Sequence, residues 1–372
     1  MKTTHRFYLL FLIVFCMMGK AFAQNESDTA KNNIVVPTKI VVDTTRSDSV
    51  VAVEGQEAQL EYNAGVDYMK AEQYQQAINK FNQAISLKPD FAQAYLNRGS
   101  AYFQSSKLDL AKTDIEKATE LNSELKSAYY IMGIIAMRQE DYPEAGKKLL
   151  KAKELGFENP KMDYYLGVIS FMNEEYEQAL RYFDHALKED NKNAMIYNDR
   201  ASTHRRLEDY EKAISDYAKA IKYDDDNPMY FANRGSVYRI MEEYDNAITD
   251  YDAALEIDSD YVVALNNRGI AKYEKGKYEE ALKDFEEVLY IDRDYAYAHN
   301  NMGLVYYKQK EYEKAVSSYT KAIALDPDYA YAYLHRGSAK EMMRDFEGAC
   351  KDWKKAVELG VEQADAYLIY CD

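Results

Sequence analysis

The sequence predicts an all-α chain built as an α-solenoid: nine helical hairpins in a row, closed at the C-terminus by a capping helix. Three observations carry this. Glycine recurs at Gly65, Gly99, Gly133, Gly167, Gly235, Gly269, Gly303 and Gly337, 34 residues apart except for one doubled gap whose midpoint is Ala201. Twelve residues after each of these nine positions stands an alanine, from Ala77 to Ala349, without exception. Between them apolar residues fall at helical spacing, as in Ala213, Tyr217, Ala220 and Ile221. A period of this length marks a stack of one small unit, none of which can bury its own apolar face alone. Such a stack makes a binding surface, and its regular part carries no partner's identity.

The chain opens with Lys2 and Arg6, an apolar run from Phe7 to Met18, and then Ala21-Phe22-Ala23. A basic start, a short apolar stretch and a small-x-small site are the pattern of a signal peptide over residues 1–23. The run is shorter than the roughly 20 residues that span a bilayer, so no integral membrane segment is expected after cleavage. Phe15 before Cys16 is too large for a lipobox. The mature protein is therefore expected outside the cytoplasm, periplasmic or secreted. Residues 24–57 are rich in Ser, Thr, Asp and Asn without helical period and read as a disordered linker. The whole chain carries a formal charge of -16, and residues 1–23 hold three cations and no acid. The exported part is more negative still. It repels phosphate backbones and anionic lipid, which argues against nucleic acid and favours a basic or neutral partner.

Counted from Ala58, the glycine is position 8 and nine units run from 58 to 363. Position 20 is Ala throughout, and position 27 is Ala except for Val288. Position 24 is large and apolar or aromatic: Phe81, Ile115, Leu149, Phe183, Tyr217, Tyr251, Phe285, Tyr319 and Trp353. Each unit holds two helical segments with a short polar break, as at Lys275-Gly276-Lys277, and acidic joints such as Asp326-Pro327-Asp328 stop the preceding helix. Glycine inside a helix costs about 1 kcal/mol relative to alanine. Close approach of the two helices is the expected reason, with position 8 facing the small position 20. Residues 364–372 look like the first turns of a tenth unit and are expected to form a cap helix over the last hairpin.

Small residues at 8, 20 and 27 with aromatics at 17 and 24 resemble the tetratricopeptide repeat over residues 58–363. The family's Trp at position 4 is replaced by Tyr or Phe or lost, and its Pro at position 32 survives only as Pro89 and Pro327. The resemblance implies a right-handed superhelix whose first helices line a concave groove through positions 2, 5, 6, 9, 12 and 13. Carried onto this chain, those positions give Asn97, Asn233, Asn267 and Asn301 at position 6. Position 12 gives Arg205, Arg239, Tyr273 and Tyr307, and position 13 gives Arg206. An asparagine ladder of this kind can hydrogen-bond an extended peptide. The Lys at position 5 and Asn at position 9 with which some family members clamp a chaperone's terminal carboxylates are both missing.

Position 7 is Arg in five units (Arg98, Arg200, Arg234, Arg268 and Arg336), and position 23 is Asp in the same five (Asp114, Asp216, Asp250, Asp284 and Asp352). The other four units have neither. An Arg–Asp pair joining the two helices is expected, with Arg234–Asp250 and Arg268–Asp284 as structural pairs. Cys350 and Cys371 remain after signal cleavage. In an exported chain a disulfide is the expected state, with two free buried thiols as the alternative.

No catalytic constellation is present. The histidines His185, His204, His299 and His335 lie at unrelated repeat positions with no metal spacing, and no phosphate-binding, dinucleotide or nucleophile motif occurs. Carboxylates such as Asp258 and Asp260 sit at joints and read as helix stops. No metal or cofactor is expected. The expected function is a non-enzymatic scaffold of the bacterial envelope that binds a protein or peptide in its groove. The alternatives are a carbohydrate-binding surface built on Tyr273, Tyr297, Tyr307 and Tyr331, or a domain tethering an enzyme.

Overall fold

The computed structural model describes residues 53–369 and Cys371. The expected signal peptide, residues 1–23, and residues 24–52 of the expected linker lie outside those residues. Every regular element among them is helical, and Cα packing groups them into two bodies, residues 53–192 and 193–371. The first body holds four hairpins. These are α1 (Val53–Lys70) with α2 (Tyr74–Leu87), α3 (Ala92–Gln104) with α4 (Leu108–Leu121), α5 (Lys126–Arg138) with α6 (Tyr142–Glu154), and α7 (Met162–Met172) with α8 (Tyr176–Glu189). The second body holds five: α9 (Ala194–Arg206) with α10 (Tyr210–Tyr223), α11 (Pro228–Ile240) with α12 (Tyr244–Ile257), α13 (Val262–Glu274) with α14 (Tyr278–Ile291), α15 (Ala296–Lys308) with α16 (Tyr312–Leu325), and α17 (Ala330–Met342) with α18 (Phe346–Glu358). Within each body a helix packs most closely on its hairpin partner and next on the following unit.

Two boundaries differ from the sequence reading. Helix α1 begins at Val53, so the last five residues of the expected linker are helical. Gln56 and Glu57 are good helix formers, and with no proline there Gly55 alone does not stop a helix that Ala58 and Tyr62 anchor in the core. At the other end, the expected cap helix is one 3-10 turn, Glu362–Ala364, and four residues of helix α19, Asp365–Leu368.

Inside each hairpin the close contact differs from the one expected. A Cβ placed on Gly269 would lie 2.6 Å from Cε1 of Phe285, and one on Gly303 would lie 2.5 Å from Cε1 of Tyr319. Position 8 is small because the position 24 side chain of the facing helix lies across it. Position 20 contributes its backbone, as where the Ala111 carbonyl oxygen is 3.1 Å from the same point on Gly99. All nine position 24 side chains are buried. Ala201 is the one methyl in the series; it is fully buried with Tyr217, whose hydroxyl is 2.9 Å from Ser202 Oγ.

The turn between the two helices places position 15 at positive φ in every unit. Only Gly276 is glycine there; Glu72, Ser106, Glu140, Glu174, Glu208, Glu242, Lys310 and Arg344 carry the same left-handed backbone. At the joints Asp258, Asp292 and Asp326 each accept the backbone N–H two residues on, at 3.0 to 3.1 Å. These carboxylates fold the joint.

The five Arg–Asp pairs are bidentate. Nε and Nη2 of Arg234 donate to Asp250 at 2.8 and 2.7 Å, and those of Arg268 to Asp284 at 3.1 and 2.8 Å. Arg98–Asp114, Arg200–Asp216 and Arg336–Asp352 repeat the geometry at 2.6 to 2.8 Å. The aspartates are nearly buried and the arginines are partly exposed. Lys272 and Lys340 add second cations to Asp284 and Asp352 at 2.8 Å. The third nitrogen, Nη1, reaches the preceding unit: Asn82 from Arg98, Asp252 from Arg268 and Thr320 from Arg336. Each such arginine ties its own two helices and the unit before it.

The cap covers the last hairpin. Tyr367 stacks on Trp353 with ring centroids 4.9 Å apart, and Val361 and Ala364 are buried beside them. The Cys350 and Cys371 sulfurs lie within bonding distance there, with Cα atoms 5.5 Å apart.

Gly269→Ala is expected to lower stability by about 1–3 kcal/mol in urea unfolding, although alanine is the better helix former, because Phe285 must leave its place. Ala201→Gly is expected to cost about 1 kcal/mol, since its hairpin is already fitted to the methyl. Denatured without reductant, the chain should show no reactive thiol other than Cys16; two further thiols would refute the bridge. Cys371→Ser should loosen the cap by about 3 kcal/mol.

Candidate functional site

Positions 2, 5, 6, 9, 12 and 13 of a first helix recur every three or four residues and so share one face. The structure places most of the expected site residues there, but turns them toward neighbouring units. Asn301 Nδ2 donates to Asn266 Oδ1 and Asn233 Nδ2 to Asn198 Oδ1, both at 2.9 Å. Asn97 Nδ2 donates to the Tyr62 hydroxyl at 2.9 Å. In each case position 6 of one unit bonds position 5 of the unit before. Tyr130 and Tyr165 make the same link with two hydroxyls, and His335 makes it to Asn300 Oδ1 at 3.0 Å. Because Oδ1 only accepts, Nδ1 of His335 carries the proton.

This corrects the reading of these asparagines as a free ladder for a peptide. Asn97, Asn266 and Asn300 are 1% exposed, Asn301 3% and Asn267 6%, and Asn233 is half-buried. A buried amide needs a partner, and the neighbouring unit supplies it before any ligand can. Asn267 accepts from Asn266 of its own helix at 3.4 Å, because the unit before offers Ala232. The pairing is visible in the sequence once sought. Where position 5 is Leu96, the next position 6 is Ile131, and Leu334 is followed by Ile369. Apart from Ala232 before Asn267, polar follows polar and apolar follows apolar in these positions.

Position 12 is corrected in two places. Arg239 is buried and donates through Nη1 to Glu274 at 3.2 Å. Tyr273 is 5% exposed within the core of units seven to nine, and burial first of all pushes its hydroxyl far above the ordinary tyrosine range. Tyr307 is half-buried, its ring edge-on to Tyr312 at 5.5 Å, and burial pushes it up to about 12. Arg205 is half-buried and Arg206 is exposed. In the first body Phe103 lies under the Arg138 guanidinium at 4.2 Å, and burial lowers that guanidinium's pKa.

What remains open on this face differs from unit to unit. Met195, Met229, Val263, Tyr297 and Tyr331 are half-buried at position 2. Ile240, Met342 and Arg206 are exposed at position 13, with Lys308 half-buried beside them. Among the described residues no group of His, Cys, Asp or Glu could hold a metal ion, and no helix is long and apolar enough to cross a membrane.

Family profiles described as "Tetratricopeptide repeat" match residues 92–125, 194–227 and 296–329, and one described as "TPR repeat" matches 65–106, 235–274 and 271–310. Together they span about half of the chain. No curated protein matches it in sequence. Among solved structures, a tetratricopeptide repeat protein from Parabacteroides merdae ATCC 43184 is 23% identical, covers 65% of this chain and 97% of its own, and superposes with a TM-score of 0.56. YrrB, titled a TPR protein with an unusual peptide-binding site, is 27% identical over 50% of this chain and 95% of its own, with a TM-score of 0.46. MamA is 27% identical over 46% and 94%, with a TM-score of 0.39.

Asn301→Ala should lower stability by about 1–3 kcal/mol in denaturant unfolding, by leaving the Asn266 carbonyl buried and unpaired. Burial lowers the His335 pKa to about 4, against about 6.5 unfolded. Between those values the unfolded chain holds a proton that the folded chain lacks. Stability is therefore full above pH 6.5, falls as pH drops toward 4, and levels below it, by about 3 kcal/mol in all. His335→Asn restores the amide link of the other units and should flatten that acid limb in urea melts run from pH 7 to 4.

Proposed function

We propose, because this chain belongs to the tetratricopeptide repeat family, that it is a non-enzymatic scaffold holding an extended segment of a partner protein along its first-helix face. One observation carries this reading. The repeated residues on that face are taken up by unit-to-unit bonds, and the exposed ones are those that vary. A varied set of apolar, aromatic and charged side chains on a rigid periodic frame suits a sequence-specific polypeptide. Sugar stacking is less well supported, since Tyr273 is buried and the Tyr307 ring packs edge-on against Tyr312. Residues 1–23 and the joined cysteines favour an oxidising compartment outside the cytoplasm.

A photo-crosslinking residue placed at Met229 or Tyr297 should trap one partner in the native cell. The same residue at Lys222, on a second helix, should not. Equal trapping from both surfaces would sink the assignment. The protein isolated from the envelope fraction should begin at Gln24.

A further inference from the structure

The second helix of the third unit, α6, departs from the other eight in its charge. Its positions 22, 23, 26 and 28 are Lys147, Lys148, Lys151 and Lys153, and its position 25 is Leu150. Position 23 is Asp in five units, and position 28 is aliphatic in seven. Position 25 is polar or Ala in every other unit, yet Leu150 stands there 48% exposed. Unit three, residues 126–159, is the only one of the nine in which Lys and Arg outnumber Asp and Glu.

These five side chains line one open groove of about 750 Å³, together with Tyr129 of α5 and Glu154. Lys148 Nζ lies 6.0 Å from the centre of the half-buried Tyr129 ring. Lys148 and Lys147 share a single carboxylate, Glu144, at 3.2 and 3.8 Å. Lys151 meets Glu154 at 2.8 Å, with both residues exposed, and Lys153 meets Asp163 of α7 at 2.6 Å. Among the described residues the lining therefore holds four ammonium groups and one carboxylate beside a ring and a leucine. Exposed pairs of this kind contribute about 0–1 kcal/mol, so an incoming carboxylate can displace the internal ones at little cost. The volume is far more than one carboxylate fills and suits a segment of several residues.

We propose that this groove binds an acidic polypeptide segment in which Glu or Asp side chains flank an apolar one. The carboxylates meet Lys147, Lys148 and Lys151, and the apolar side chain lies on Tyr129 and Leu150. Charge complementarity selects this occupant. At physiological ionic strength, charges more than about 8 Å apart are largely screened. A short segment in the groove therefore feels the lysines, whereas an extended anionic surface also meets the acidic remainder of a chain of formal charge -16. The groove belongs to a second helix and does not rest on the first-helix reading.

The full chain is titrated at low salt into a fluorescein-labelled, end-blocked Glu-Glu-Leu-Glu-Glu peptide, and into the same peptide with Gln for each Glu. Anisotropy should rise to saturation with the first and stay flat with the second. Lys147→Gln with Lys151→Gln should weaken binding about tenfold or more, on the order of 1.4 kcal/mol. Leu150→Asn should weaken it about threefold. Lys351→Gln with Lys355→Gln is the control: these lysines hold positions 22 and 26 of unit nine, and Lys355 meets Glu358 at 3.3 Å as Lys151 meets Glu154. The control should bind as wild type does. Circular dichroism checks that each variant folds. No response to the acidic peptide, an equal response to the Gln peptide, wild-type binding by the unit-three pair or by Leu150→Asn, or an equal loss in the control overturns the site. Capture by anionic phospholipid vesicles without a peptide response overturns it in favour of a membrane surface. Concentration-dependent self-association that the unit-three pair abolishes, again without a peptide response, overturns it in favour of a second copy.

Discussion

The large side chain laid across a glycine backbone is the contact from which the rest of the architecture follows. Position 24 of the second helix covers position 8 of the first, sixteen residues away, in each glycine-bearing hairpin. The Arg–Asp pair sits at positions 7 and 23, also sixteen residues apart and one step back on each helix. It therefore borders the same contact. The large side chain next to it shields the aspartate from water, and a bidentate guanidinium is the partner whose fork best offsets that burial. Units without the pair change the chemistry at the same place. Lys80 at position 23 turns to Glu61 at 2.7 Å, and Ser318 is a small buried hydroxyl. The glycine ladder and the arginine ladder are two consequences of one register.

Between hairpins the controlling links are polar and thirty-five residues long. First helices touch first helices within each body, and positions 5 and 6 are where they touch. The bonds there add little net stability, but a slip of register would strand buried amides, which costs about 1–3 kcal/mol each. Apolar links such as Leu96 with Ile131 carry no such penalty, so the polar ones specify the stacking. The arginine Nη1 bonds to Asn82, Asp252 and Thr320 add further polar links between consecutive units.

The features legible in the sequence were those each unit settles by itself. Hairpins, turns and the Arg–Asp pairs depend on residues within one 34-residue period, and repetition displays them nine times. The role of Asn301 was hidden because its exposure is decided by Asn266 in another unit. A polar side chain at a nominally open position reads as a ligand group until its neighbour is known. The same dependence hid Arg239, whose charge belongs to Glu274 one unit later. At the cap, Cys371 falls at position 8, where the other units place a small residue, and its sulfur lies within bonding distance of Cys350 on α18.

Stability and recognition draw on the same columns of this face, and they require opposite things of a charged side chain. A charge that serves the stack is matched inside it, as Asp284 is by Arg268 and Lys272. A charge that serves a partner must be left unmatched until the partner arrives, and the stack bears the cost of its partial burial meanwhile. Residues kept in that state are few on a surface where local satisfaction is otherwise the rule. Specificity on such a frame then lies in the exceptions to the repeat, which is where a solenoid can differ from its relatives without disturbing its fold.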